Sequence, residues 1–153
     1  MVKLIVVAVC SLAISSAAEL PSKKYLNLAA VKKLVAVAEA EAEKKGVSVS
    51  ICIMDDSANI LFLQKGDKAS INTLEWAQRK ARYAAMNGRP SKAAADTIEK
   101  GNMAALLYPA FFPNQGGLPI IVDKQVVGSI AISGGPSAVD EAIGQTAIDE
   151  LLK

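Results

Sequence analysis

The chain contains no histidine among its 153 residues. That absence excludes, within one chain, a Ser-His-Asp triad, a Cys-His pair, a histidine zinc site and histidine-ligated haem. Cysteine is almost missing as well, with only Cys10 and Cys52. Cys10 lies in an N-terminal apolar run, and Val9 before it does not suit a lipoprotein site, so no lipid anchor is expected. Cys52 lies in a strand pattern and would stand alone after loss of the N-terminus. An intrachain disulfide is then excluded, and a buried, inert thiol is expected. No sign of charge dominates: 17 Lys and Arg face 15 Asp and Glu, and aromatics make up 5%. No basic patch stands out, so nucleic acid is not an expected partner.

What is present suits one domain with a real core, since 52% of the residues are hydrophobic. The first 18 residues differ from the rest. Lys3 supplies a positive charge, Leu4 to Ile14 is nearly all apolar, and Ser15-Ser16-Ala17-Ala18 is small. Ser16 and Ala18 occupy the −3 and −1 positions of a cleavage site. This is the pattern of a secretory signal peptide, too short to span a bilayer comfortably. The expectation is a leader at 1–18 and a single domain at 19–153, secreted or periplasmic, with no stable membrane anchor after cleavage. Without Lys3 the mature chain keeps 16 basic against 15 acidic residues.

Periodicity orders the rest. Asn27 is placed to cap a helix over Leu28–Lys45, with Leu28, Val31, Leu34, Val35 and Ala38 at helical spacing and Glu39, Glu41, Glu43, Lys44 and Lys45 as a solvated face. Val47–Met54 and Ile60–Gln64 read as strands joined by a turn at Asp55–Asn59, where aspartates bond local backbone rather than calcium. A second helix is predicted over Ile71–Asn87, with Ile71, Leu74, Ala77, Ala81, Ala84 and Ala85 as its apolar stripe. Trp76, Arg79, Lys80 and Tyr83 lie on other faces, and Trp76 and Tyr83, seven apart, share one side. A shorter helix follows at Lys92–Lys100. Gly101–Gln115 lacks periodicity and carries Tyr108, Phe111 and Phe112. Leu118–Val122 and Val126–Ile132 flank Asp123-Lys124 as a hairpin. A last helix over Ser137–Leu152 buries Val139, Ile143, Ala147 and Leu151, with Asp140, Glu141, Asp149 and Glu150 elsewhere. The order is α-β-β-α-α-β-β-α, an α+β arrangement of helices packed on an antiparallel sheet. There is no internal repeat and no linker.

Two glycine-rich corners bracket the second hairpin: Gly116-Gly117 before it, and Ser133-Gly134-Gly135 after it. Glycine permits close approach, and a strand that ends in Gly-Gly before a helix offers backbone N–H groups to an anion. Arg89 is suited to clamp a carboxylate or phosphate. No metal site is expected. A general base would have to be Asp, Glu, Lys or Tyr; Asp55, Asp56, Asp123 and Glu141 are available, and nothing in the sequence promotes any of them, so enzymatic activity is left open.

Four segments together resemble one family. They are the alanine-rich first helix followed by GVSVSICIMDDSANI, the helix AQRKARYAAMNGRPS, the stretch GGLPIIVDKQVVGSIAISGG, and VDEAI. From about Leu26 to Leu152 the chain resembles the GlcG/HbpS family of haem-degrading-type domains, related to the C-terminal domain of PduO corrinoid adenosyltransferases. The resemblance implies a profilin-like sandwich that assembles into homo-oligomers, often octamers. It also implies binding of haem or a related tetrapyrrole as cofactor or ligand, with haem degradation in some members. The chain departs from the family's use of histidine near haem. Tyr83, Met86 and Tyr108 are the residues left that could ligate the iron, with a threonine hydroxyl at a subunit boundary as a further option. Two other readings stand beside it: an exported module binding an organic acid or phosphate through Arg89, Gly116, Gly117, Ser133, Gly134 and Gly135, and a non-catalytic oligomeric scaffold.

Overall fold

The computed structural model describes residues 19–153. The expected leader, 1–18, and Cys10 lie outside the described residues. The elements follow the predicted order: α1 (Leu28–Lys44), β1 (Ser50–Asp55), β2 (Ile60–Lys65), α2 (Thr73–Asn87), α3 (Lys92–Glu99), β3 (Gly117–Val122), β4 (Gln125–Ser133) and α4 (Ser137–Leu152). A short 3-10 turn at Met103–Leu107 lies inside the segment without periodicity. The sheet runs β2-β1-β4-β3, and every neighbouring pair is antiparallel. This is the α+β class that the sequence predicts.

Local chemistry fixes the ends. The Asn27 carboxamide accepts from the Ala30 amide at 2.9 Å and caps α1. In the first hairpin, Asp55 accepts from the amides of Ser57 and Asn59 and from the Asn59 side chain, so its carboxylate is consumed by its own turn. Asp123 and Lys124 both take positive φ, 49° and 64°. That is the tight hairpin turn whose twist matches the strands it joins.

The two sheet faces differ in kind. On one, Ile51, Ile53, Leu118, Ile120, Ile130 and Ile132 meet Val31, Leu34, Ile143 and Ala147 of α1 and α4. This bulky aliphatic layer is the main core. On the other, Cys52, Met54 and Ala131 meet Ala77, Ala81 and Ala85 of α2. Here both surfaces are small, so α2 lies close to the strands. The Ser129 hydroxyl donates to the Ala81 carbonyl at 2.9 Å, and the Ser50 and Thr73 hydroxyls bond each other at 2.8 Å. Such buried hydroxyls are tolerated because each finds a partner.

Two element starts differ from the periodicity by more than one residue. α2 begins at Thr73, which leaves Ile71 outside the helix and exposed. β1 begins at Ser50, because the stretch before it is held by loops instead: the Gly66 amide bonds the Val49 carbonyl, and a Cβ on Gly134 would stand 2.5 Å from the Ser48 carbonyl.

Cys52, under α2, is buried as expected, and burial pushes its thiol from 9.0 up to about 12. A folded value above the unfolded one means that the stabilising contribution is complete below about pH 9 and is lost as pH rises toward 12. The stability difference between the protein and Cys52→Ala, measured by urea unfolding from pH 8 to 11, is expected to shrink with rising pH. A constant difference would contradict the assignment.

Candidate functional site

α2 carries Lys80 at helical spacing among Ala77, Ala81 and Ala84, so the lysine is on the buried stripe rather than on another face. Asp140 is likewise on the buried side of α4, three residues before Ile143. The expectation that both lie off the apolar stripes of their helices is corrected here. The side chains of Lys80 and Asp140 are 1% and 2% exposed, with Nζ 3.1 Å from Oδ2. The ammonium also donates to the Ile132 carbonyl at 3.0 Å. The other Asp140 oxygen accepts from the Gly135 amide at 2.9 Å, tying the corner between β4 and α4 to its own helix. Burial pushes the Lys80 ammonium below the ordinary lysine range, and the adjacent Asp140 carboxylate opposes that shift.

Both glycine corners close around this pair. Gly116 has φ of 121°, and a Cβ there would stand 2.9 Å from Lys80 Nζ and 2.8 Å from the Ile132 carbonyl. A Cβ on Gly117 would stand 2.4 Å from the Lys80 carbonyl. The Gly117 amide donates to the Ser91 hydroxyl at 2.9 Å, and that hydroxyl donates to the Asn114 carbonyl at 2.7 Å. Two of the N–H groups that a glycine corner could present to an anion, those of Gly117 and Gly135, are therefore spent inside the protein.

Two of the cavities that border α2 hold residues singled out from the sequence. The first, about 350 Å³, lies beside its C-terminal half, and Tyr83, Asn87, Arg89, Thr97, Tyr108 and Phe111 line it together with Ala105 and Ala110. The Tyr83 and Phe111 rings meet edge to face with centroids 6.0 Å apart. Arg79 stacks over Phe112 at 4.3 Å. The second, about 310 Å³, lies at the N-terminal end of α2; its walls include Thr73, Trp76, Lys80, Ser133, Ser137 and Asp140.

Arg89, Tyr83 and Tyr108, separated in sequence, share the first cavity, while Ser133, Gly134 and Gly135 share the second. Gly116 and Gly117 lie against Lys80. Met86 is exposed on α2 and lines neither cavity. Trp76 and Tyr83 do not act as one surface: Tyr83 is buried in the first cavity and Trp76 borders the second. The residues missed by periodicity, Lys80 and Asp140, had one signal, a charged side chain at the spacing of an apolar stripe. Glu41, half-buried, pairs with Lys44 on α1 and with Lys45 just past its end. Among the described residues, no cluster of three or more Cys, Asp or Glu could hold a metal ion, and no helix is long and apolar enough to cross a membrane.

The family model described as haem degrading protein HbpS-like matches residues 26–149. Protein GlcG of Escherichia coli (strain K12) is 30% identical over 112 residues, 73% of this chain and 84% of that protein. A double mutant of HbpS from Streptomyces reticuli superposes with a TM-score of 0.79 at 26% identity, covering 94% of this chain and 99% of that one. PduOC, crystallised as a haem complex, superposes with a TM-score of 0.76 at 24% identity, over 82% of this chain and 94% of that one, a likeness of fold.

The contact of α2 with Gly117 is backbone against backbone, so neither side can yield by changing a rotamer. Gly117→Ala is expected to destabilise the protein by about 3 kcal/mol in urea unfolding, the cost of overpacking a closed site. A change below about 0.5 kcal/mol would show that α2 moves freely away from β3.

Proposed function

The chain belongs to the HbpS-like family, and on that premise we propose that it binds haem or a related tetrapyrrole in the first cavity. One observation carries the reading: Tyr83, Tyr108, Phe111 and Arg89 converge on one pocket. This donor set fits the group. With no histidine in the chain, a phenol oxygen would have to hold the iron, and tyrosine is an established ligand of haem iron. Tyr108, largely exposed at the cavity, takes that role. Tyr83 and Phe111 form the aromatic wall for the macrocycle, and the Arg89 guanidinium offers a fork for a propionate. The bound group would supply iron and its redox chemistry; the residues of this chain hold and orient it.

A cavity of about 350 Å³ covers only part of a macrocycle. Leu106 and Leu107, exposed next to Tyr108, give it an apolar rim. A second copy of the chain would close that side, so the reading includes a homo-oligomer. The leader pattern at 1–18 adds export, placing the mature protein in a periplasmic or extracellular setting.

Haemin titration of the mature protein, followed through the Soret band, tests this. A band distinct from free haemin is expected, with saturation. Tyr108→Phe is expected to weaken binding at least about tenfold, equivalent to about 1.4 kcal/mol, while Met86→Ala leaves it unchanged. A spectrum indistinguishable from free haemin, or full binding by Tyr108→Phe, overturns the assignment.

A further inference from the structure

The second cavity has a composition that the haem reading does not use. Ser133 is 1% exposed and lines it, and its hydroxyl carries no hydrogen bond among the described residues. That hydroxyl is therefore available to bond a group held in the cavity. Lys80, in the same wall, gives two of its three N–H donors to Ile132 and Asp140, and the third has no acceptor among the described residues. Ser133 and Lys80 thus place donors in the cavity wall, beside the Asp140 carboxylate.

Two helices also begin at this cavity. Thr73 opens α2, of 15 residues, and Ser137 opens α4, of 16, and both line the space. No side-chain cap bonds the first turn of either helix. Each such end carries about half a positive charge. Asp140 lies in the first turn of α4, and its charge and that of Lys80 cancel within their pair. Glu75, in the first turn of α2, is largely exposed and faces Arg79. The cavity therefore has an excess of about one positive charge from its two helix ends. That favours a monoanion over a dianion.

We propose that this cavity is a binding site for a small monocarboxylate. Its carboxylate accepts from the Ser133 hydroxyl and the Lys80 ammonium at the mouths of α2 and α4. The indole of Trp76 covers the remainder, and Asn114 and Ser137, whose side chains approach at 3.4 Å, present polar groups to any hydroxyl on the ligand. The site is separate from the haem pocket and stands or falls independently of it.

Trp76 is the only tryptophan in the chain, so its emission reports this cavity alone. Acetate and lactate, titrated into the mature protein at constant ionic strength with chloride and phosphate as comparators, are expected to give a saturable change in Trp76 emission. Ser133→Ala, a small change on a strand, is expected to weaken that response at least about fivefold with an unaltered melting temperature in the absence of ligand. Arg89→Ala, in the other cavity, leaves it intact. The proposal is overturned by an unsaturable or chloride-equal response, by tighter binding of phosphate, by undiminished affinity in Ser133→Ala, or by loss of the response in Arg89→Ala.

Discussion

The buried ion pair between Lys80 and Asp140 is the constraint on which the arrangement around α2 depends. Two opposite charges taken out of water are costly, and their attraction offsets that only with good geometry and further hydrogen bonds to each partner. Here the ammonium reaches the Ile132 carbonyl at the end of β4, and the carboxylate reaches the Gly135 amide before α4. The pair thereby joins α2, β4 and α4, which belong to different layers of the sandwich. It also dictates glycine at 116, where any Cβ would meet the ammonium. A pair of this kind is weak evidence for extra stability. Its stronger consequence is geometric, because breaking it leaves a buried charge without a partner.

The scaffold was legible because its signals are repetitive. Aliphatic residues alternate in β1 and β4, helical spacing runs through α1 and α4, and Asp123-Lys124 marks a turn between two apolar runs. The start of α2 was not, since Ile71 fits the apolar spacing yet lies before the helix, exposed. Nor was the 3-10 turn at Met103–Leu107, too short for any period to register. For the site, spacing and side-chain chemistry pointed to the glycine corners and Arg89, and the family resemblance to Tyr83 and Tyr108, but neither showed which of them share a cavity. That depends on the packing of α2 against β3, a contact distant in sequence. Lys80 and Asp140 were hidden for the opposite reason. Charged residues are presumed to face water, and pattern reading discounts them even at a buried register.

The family supplies an expectation of haem, and the absence of histidine narrows how it can be met. The fold answers by dividing its chemistry along one helix. The C-terminal half of α2 contributes Tyr83 to an aromatic cavity with a guanidinium at its edge. The N-terminal end contributes Trp76 and Thr73 to a polar one. Lys80 lies between them and fixes the depth at which α2 sits on the sheet. A shift of this helix would alter both cavities at once, which makes the small-residue face of the sheet as consequential as the larger aliphatic core.

The central claim is that Lys80 and Asp140 act as one unit. A double-mutant cycle in urea unfolding, with Lys80→Met, Asp140→Leu and both together, tests it most directly. Each single change is expected to cost about 3–5 kcal/mol by stranding the opposite charge. The double variant is expected to cost well below the sum, with a coupling of about 2 kcal/mol or more. Single costs that add to within about 0.5 kcal/mol would mean that the two residues are independent, and would contradict the account.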